Sequence, residues 1–188
     1  MRSSFPPPWP PSASRRAGLV WGFPAEAIVA QWAAETGWSL DALTGAWNLF
    51  GLTAAACPAR PEKFCATTEE LTLAQFVLLR LDERQSVTKR EPLANGRYRY
   101  HLSRWFACFD SLQEGISAYI RFVTAPGHRY YATWQAYARS YDVDQLIDGI
   151  AHNGFAAAAG YDTLLHKIAH QPNVQIAIQE ARAKRVTS

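Results

Sequence analysis

The sequence predicts a mainly helical α+β domain with a small β-hairpin lobe. Three observations predict it. Apolar residues recur at helical spacing over most of the stretch from Pro24 to Lys184. One segment, 86–108, alternates instead, around Asn95-Gly96, the strongest short hairpin signal. The chain has 188 residues, 48% of them hydrophobic, which suffices for one sizeable core and one domain with tails.

Residues 1–12 are rich in Pro and Ser and read as an irregular arm, leaving 13–188 as a single domain. A short helix is expected at 13–20. Pro24 stands where a first-turn proline stands, and Ala25 to Glu35 carries good helix formers. Ile28, Trp32 and Glu35 share one face, and Thr36-Gly37 ends the helix. A helical turn is expected at 40–45, then a loop or short strand at 47–52, then irregular chain at 57–65. Thr67 and Glu70 have the spacing of a capping box, which predicts a helix over 68–81 with Leu71, Ala74, Leu78 and Leu81 in period. In the hairpin segment, Tyr98, Tyr100 and Leu102 fall on one strand face. Ser111 and Glu114 repeat the capping spacing before a helix that runs to 123, ahead of Pro126-Gly127. Further helices are expected at 129–140, 143–153, 159–170 and 173–184.

Composition excludes several classes. Nineteen basic and sixteen acidic residues leave a net charge of +3, too weak to point to nucleic acid. No apolar run is long enough for a membrane span. Met1-Arg2-Ser3-Ser4 leads into prolines where a secretory signal has its apolar helix, so no signal peptide is expected. Cys57, Cys65 and Cys108 form no CxxC pair, although Cys57 and Cys65 can close a small loop in an oxidising compartment. No repeat, phosphate loop or dinucleotide fingerprint is present. His166 and His170 stand at i, i+4, a spacing that can grip a metal. No carboxylate or Cys lies directly beside them, so a solvated helix face is expected, with no metal and no cofactor. Aromatic residues make up 13% of the chain, seven of them Trp, against only 19% charged residues. That balance suits a groove that stacks flat ligands such as sugars.

Four segments carry a resemblance to a known family. They are Ala30-Gln31-Trp32-Ala33-Ala34-Glu35-Thr36-Gly37-Trp38; Asn48-Leu49-Phe50-Gly51; Arg104 to Ser111; and Pro126 to Tyr131 with Asn153 to Tyr161. Their order resembles the bacterial peptidoglycan endo-β-N-acetylglucosaminidases (glycoside hydrolase family 73), which include the flagellar rod-cap hydrolase and several autolysins. The resemblance spans about residues 18–170. It implies a lysozyme-like helical domain and cleavage of the bond between N-acetylglucosamine and N-acetylmuramic acid.

Glycosidic cleavage needs a carboxylic acid of raised pKa to protonate the leaving oxygen. Glu35 meets that need. It sits at a helix C-terminus between Trp32 and Trp38, and both the apolar walls and the helix end disfavour its charge. The resemblance places a second Glu in the β-lobe after one or two Thr. Glu91, after Thr88-Lys89-Arg90, is the expected residue, and Glu69 or Glu70, after Thr67-Thr68, is the rival. Asn48 and Phe50 offer a polar partner and an apolar wall for an N-acetyl group, and Trp38 and Tyr130 are further substrate-binding candidates. Phe155 stands where the family has a Tyr beside the acid, and Tyr161 is the clear aromatic match of the last segment. Trp105 and Tyr119 read as core residues. Ala107 stands where the family has Arg.

The implied partner is the peptidoglycan glycan strand, met by a monomer in the periplasm or cell wall. A holin, a flagellar-type route, an injection machine or a secretion partner would each deliver it. The alternatives are a muramidase or lytic transglycosylase of the same architecture, and a catalytically impaired peptidoglycan-binding module.

Overall fold

The computed structural model describes residues 22–40, 43, 45–93, 95–155 and 160–186. The arm at 1–12, the helix expected at 13–20 and most of the turn expected at 40–45 lie outside the described residues. Among the described residues, helices pack around one central helix, and a three-stranded antiparallel sheet stands beside them.

The central helix is α1 (Ala25–Thr36). Seven of its twelve residues are buried, among them Ile28, Gln31 and Trp32, so it is enclosed by protein on more than the one face that periodicity indicates. It stops because Gly37 turns left-handed (φ 59°) and returns its N–H to the Ala33 carbonyl at 2.9 Å. Trp38 follows with φ 70°, a conformation that a bulky side chain rarely adopts.

The sheet comprises β1 (Glu62–Leu71), β2 (Lys89–Pro92) and β3 (Tyr98–Ala107), in the order β1-β3-β2. β1 pairs with β3 from Glu62 opposite Ala107 to Leu71 opposite Tyr98. β2 and β3 form the hairpin expected over 86–108. Leu93 N–H donates to the Arg97 carbonyl across the turn, and Gly96 takes φ 72°.

The helix expected over 68–81 does not form as such. Thr67 to Glu70 are strand residues, paired with Leu102 to Arg99 of β3. Two five-residue helices follow, α2 (Leu73–Val77) and α3 (Leu81–Gln85). The capping box belongs to Thr72 and Gln75, five residues later: Gln75 N–H donates to Thr72 Oγ1, and Thr72 N–H to Gln75 Oε1. Ten-residue pairing along β3 outweighs a local cap whose contribution is about 1 kcal/mol. Ala74, Leu78 and Leu81, expected in helical period, are exposed. β1 also begins inside the stretch read as irregular, and Cys57, Cys65 and Cys108 are all free thiols.

The remaining helices match expectation closely. They are α4 (Leu112–Thr124), α5 (Tyr131–Ser140), α6 (Val143–His152), α7 (Tyr161–Ala169) and α8 (Pro172–Val186). Ser111 caps α4 by accepting from Glu114 N–H at 3.2 Å. Ile116, Ile120, Leu146, Ile150 and Leu165 are fully buried, each worth about 1.5–3 kcal/mol of apolar transfer. α7 lies along α1, and Arg182 of α8 grips the buried Glu26 carboxylate with distances of 2.9 and 3.1 Å. A side chain at Gly115 would strike the Trp47 carbonyl, so only glycine lets the 45–53 loop lie on α4.

Candidate active site

Glu35 lies in the last turn of α1. Trp32, one turn earlier, meets Trp38 edge-on with ring centroids 5.4 Å apart, and its Nε1–H donates to the Ser39 carbonyl at 2.8 Å. This pins the chain just beyond the helix end. Glu35 itself is exposed to solvent along one side, while the protein mass around its carboxyl desolvates the charged form.

The hydroxyl of Tyr161, the first residue of α7, donates to Glu35 Oε1 at 2.6 Å. Gln31 Nε2, one turn back along α1, donates in turn to the Tyr161 hydroxyl at 3.4 Å. Desolvation raises the pKa of Glu35, the Tyr161 hydrogen bond opposes that, and the negative charge of Glu69 adds to it. Burial, and the Glu35 charge after it, push the Tyr161 hydroxyl well above the usual tyrosine range. Tyr161 therefore stays a neutral donor. A carboxyl held in this way retains its proton closer to neutral pH and can give it up.

The sheet carries the other candidate carboxylates, Glu69 and Glu91. Partners in an antiparallel ladder share a face, and successive residues alternate between faces. Glu69 is opposite Tyr100, and it shares its face with Leu102 and Arg104. Arg104 Nη1 pairs with Glu69 at 3.3 Å, and Arg104 Nε with the buried Glu83 at 3.4 Å. Glu91 is opposite Arg99, on the other face. There it pairs with Lys89 at 2.8 Å and His101 at 3.4 Å, and these partners lower its pKa. The expected role of Glu91 beside Glu35 is thus corrected. It is the charge of Glu69, on the opposite face of the sheet, that acts on Glu35.

The other expected substrate residues divide. Trp38 is half-buried against Trp32, three residues beyond Glu35 in the chain. Asn48 is 1% exposed, with its amide fully engaged: it donates to Leu52 O and Ala107 O and accepts from Leu52 N–H, all within 2.9 Å. It holds the loop together and has nothing left for an acetamide. Phe50 is buried and stacks on Tyr119 at 4.1 Å, so it is core. Tyr130 is also fully buried, with its hydroxyl pushed up to about 12 by burial. Phe155 packs 6.0 Å from both Tyr119 and Tyr130, against the helical core. The hydroxyl expected near position 155 reaches Glu35 from Tyr161 instead. Tyr119 is core as expected, whereas Trp105 is half-buried and donates to Asp82 at 2.6 Å. Gln31 carries no role in the sequence pattern. Its i, i+4 relation to Glu35 was the available signal.

A separate cavity of about 470 Å³ is lined by Cys57, Arg60, Phe109, Arg121, Phe122 and His128 among others. No carboxylate lines it, so it does not offer the carboxylic acid that glycosidic cleavage uses. The His166–His170 pair does not face solvent alone, because Asp144 and Asp148 of α6 meet it.

The profile of the family described as mannosyl-glycoprotein endo-beta-N-acetylglucosaminidase matches residues 12–174. No curated sequence matches the chain. Three solved structures share its fold. A peptidoglycan hydrolase mutant from Sphingomonas sp. A1 has a TM-score of 0.61 at 18% identity, over 92% of this chain and 95% of that one. The catalytic domain of the autolysin Auto from Listeria monocytogenes has a TM-score of 0.56 at 13% identity, over 89% and 82%. An N-acetylmuramoyl-L-alanine amidase from Staphylococcus aureus has a TM-score of 0.56 at 12% identity, over 89% of this chain and 41% of that one. The family match covers most of the sequence and includes both Glu35 and Glu69, and on that ground the chain belongs to the glucosaminidase family of glycoside hydrolases.

Proposed function

We propose that the protein hydrolyses the β-1,4 bond between N-acetylglucosamine and N-acetylmuramic acid in peptidoglycan, with Glu35 as general acid. The observation that carries this reading is the Tyr161 hydroxyl bonded to Glu35 at the end of α1, where burial raises the carboxyl's pKa and the Glu69 charge adds to it. Family membership and the likeness of fold to peptidoglycan hydrolases support the substrate class. Glu35 protonates the glycosidic oxygen as the bond breaks. Glu69, kept in place by Arg104, is the second catalytic group and serves the anomeric side. Tyr161 is a positioning residue that holds the acid's orientation. Trp38 offers an aromatic wall to the sugar.

The substrate lies outside the cytoplasmic membrane, so the protein acts on the cell wall, as a monomer, after delivery by an export or lysis partner. Among the described residues no helix is long and apolar enough to cross a membrane.

The test is digestion of purified peptidoglycan by wild type and by Glu35→Gln, with product masses read out. Wild type is expected to release reducing-end N-acetylglucosamine, and the variant almost nothing. Reducing-end muramic acid or anhydromuramic acid would identify a muramidase or a transglycosylase instead. Binding of wild type to sacculi with no release of fragments would identify a binding module.

A further inference from the structure

We propose that Asp144, His166 and His170 form a site for a divalent transition-metal ion of the zinc type, with Asp148 as the outer partner that orients His166. The site is separate from Glu35 and does not depend on the glycosidase reading.

The geometry comes from an antiparallel helix pair. α6 and α7 run in opposite directions, so acidic residues of one face histidines of the other in steps: Asp144 with His170, Asp148 with His166, Asp162 with His152. At the open end of the hairpin the steps converge. Asp144 Oδ1 lies 2.8 Å from His170 Nε2 and 3.3 Å from His166 Nδ1. One ligand atom from each of the three residues falls within 4.8 Å of the other two. Ligands at about 2.0–2.2 Å around a tetrahedral ion stand about 3.3–3.6 Å apart, so small side-chain rotations suffice. The i, i+4 spacing places His166 and His170 on one face of α7, with rings near parallel (6°) and 6.2 Å between centroids.

The chemistry selects the ion. Two imidazole nitrogens and one carboxylate suit zinc and its first-row neighbours, whereas magnesium and calcium take oxygen donors. His166 coordinates through Nδ1, and its Nε2–H then points at Asp148 Oδ1, 2.6 Å away. That carboxylate–histidine–metal arrangement fixes the tautomer and raises ligand basicity. His166 is about 29% exposed and the other three groups about half exposed, so water completes the coordination. The ion would clamp α6 to α7 and so steady the helix whose first residue, Tyr161, bonds Glu35.

The test is titration of the full chain with Zn²⁺ alone, followed by calorimetry and by thermal unfolding. One equivalent is expected to bind saturably and raise the melting temperature. His166→Gln and His170→Gln should each weaken binding at least about tenfold, and Asp148→Asn about 10–100-fold. Asp162→Asn, one step along the hairpin, should leave it unchanged. Imidazole ¹⁵N spectra of the wild type provide a reading that needs no variant: the His166 and His170 signals should move. Absence of saturable binding, binding by His166→Gln/His170→Gln at wild-type strength, or zinc shifts confined to His101, His128 or His152 would overturn the site.

Discussion

The hydroxyl of Tyr161 lies 2.6 Å from Oε1 of Glu35, although 126 residues separate them in the chain. One belongs to the last turn of α1 and the other to the first turn of α7, and the packing of these two helices creates the contact. A neutral phenol donating to a carboxyl favours the ionised carboxylate, while desolvation favours the acid, and desolvation prevails.

Tyr161→Phe removes the donor and leaves the desolvation. The pKa of Glu35 should rise further, because the one hydrogen bond lowering it is gone. The alkaline limb of the pH–rate profile should move to higher pH, and the maximal rate should fall as the carboxyl loses its orientation. A limb that stays where it is would show that Tyr161 does not act on Glu35.

Glu35→Gln should lower the rate of glycan cleavage by about 10²–10⁴, the usual worth of a general acid. It should also stabilise the fold at neutral pH. The native protein holds the Glu35 proton more tightly than the unfolded chain does, so stability falls as pH rises from about 4.5 through the raised native pKa. Above that window the ionised group opposes folding, and glutamine removes the opposition. Melting temperatures of the two proteins should converge at pH 4 and diverge above it, with the variant higher.

Glu69→Gln and Glu91→Gln separate the two sheet faces. Glu69→Gln should cost about 10² or more in rate with the fold intact, whereas Glu91→Gln should leave the rate within about twofold. Equal losses in both, measured on soluble glycan fragments, would remove the argument from strand register.

Asn48→Ala should destabilise rather than change substrate affinity. The Asn48 side chain satisfies two buried carbonyls and one buried N–H. The Leu52 carbonyl keeps the Ala107 N–H, so two groups are stranded, and at about 1–3 kcal/mol each a loss of about 2–6 kcal/mol is expected from denaturant unfolding. A selective loss of substrate affinity at unchanged stability would restore Asn48 to the binding site.

Local chemistry alone determined much of this protein. The helix periods after Ser111, the Ser111 cap, the Gly37 stop and the Asn95-Gly96 turn depend on neighbours a few residues apart, and these appear where expected. The placement of Glu35 at a helix end was legible for the same reason, since that helix end and the flanking tryptophans are adjacent in the chain. What remained depends on pairing over long separations. Thr67 to Glu70 carry a helix-start spacing, yet β3 claims them as strand. Glu69 comes directly after a threonine and Glu91 three residues after one, and only the ladder's alternation places them on opposite faces. Phe155 and Tyr161 lie on either side of a helix start, and the packing of α7 on α1 decides which ring reaches Glu35. His166 and His170 lack acidic neighbours beside them in sequence. The antiparallel run of α6 supplies Asp144 and Asp148, because a helix hairpin brings together residues that no local spacing relates.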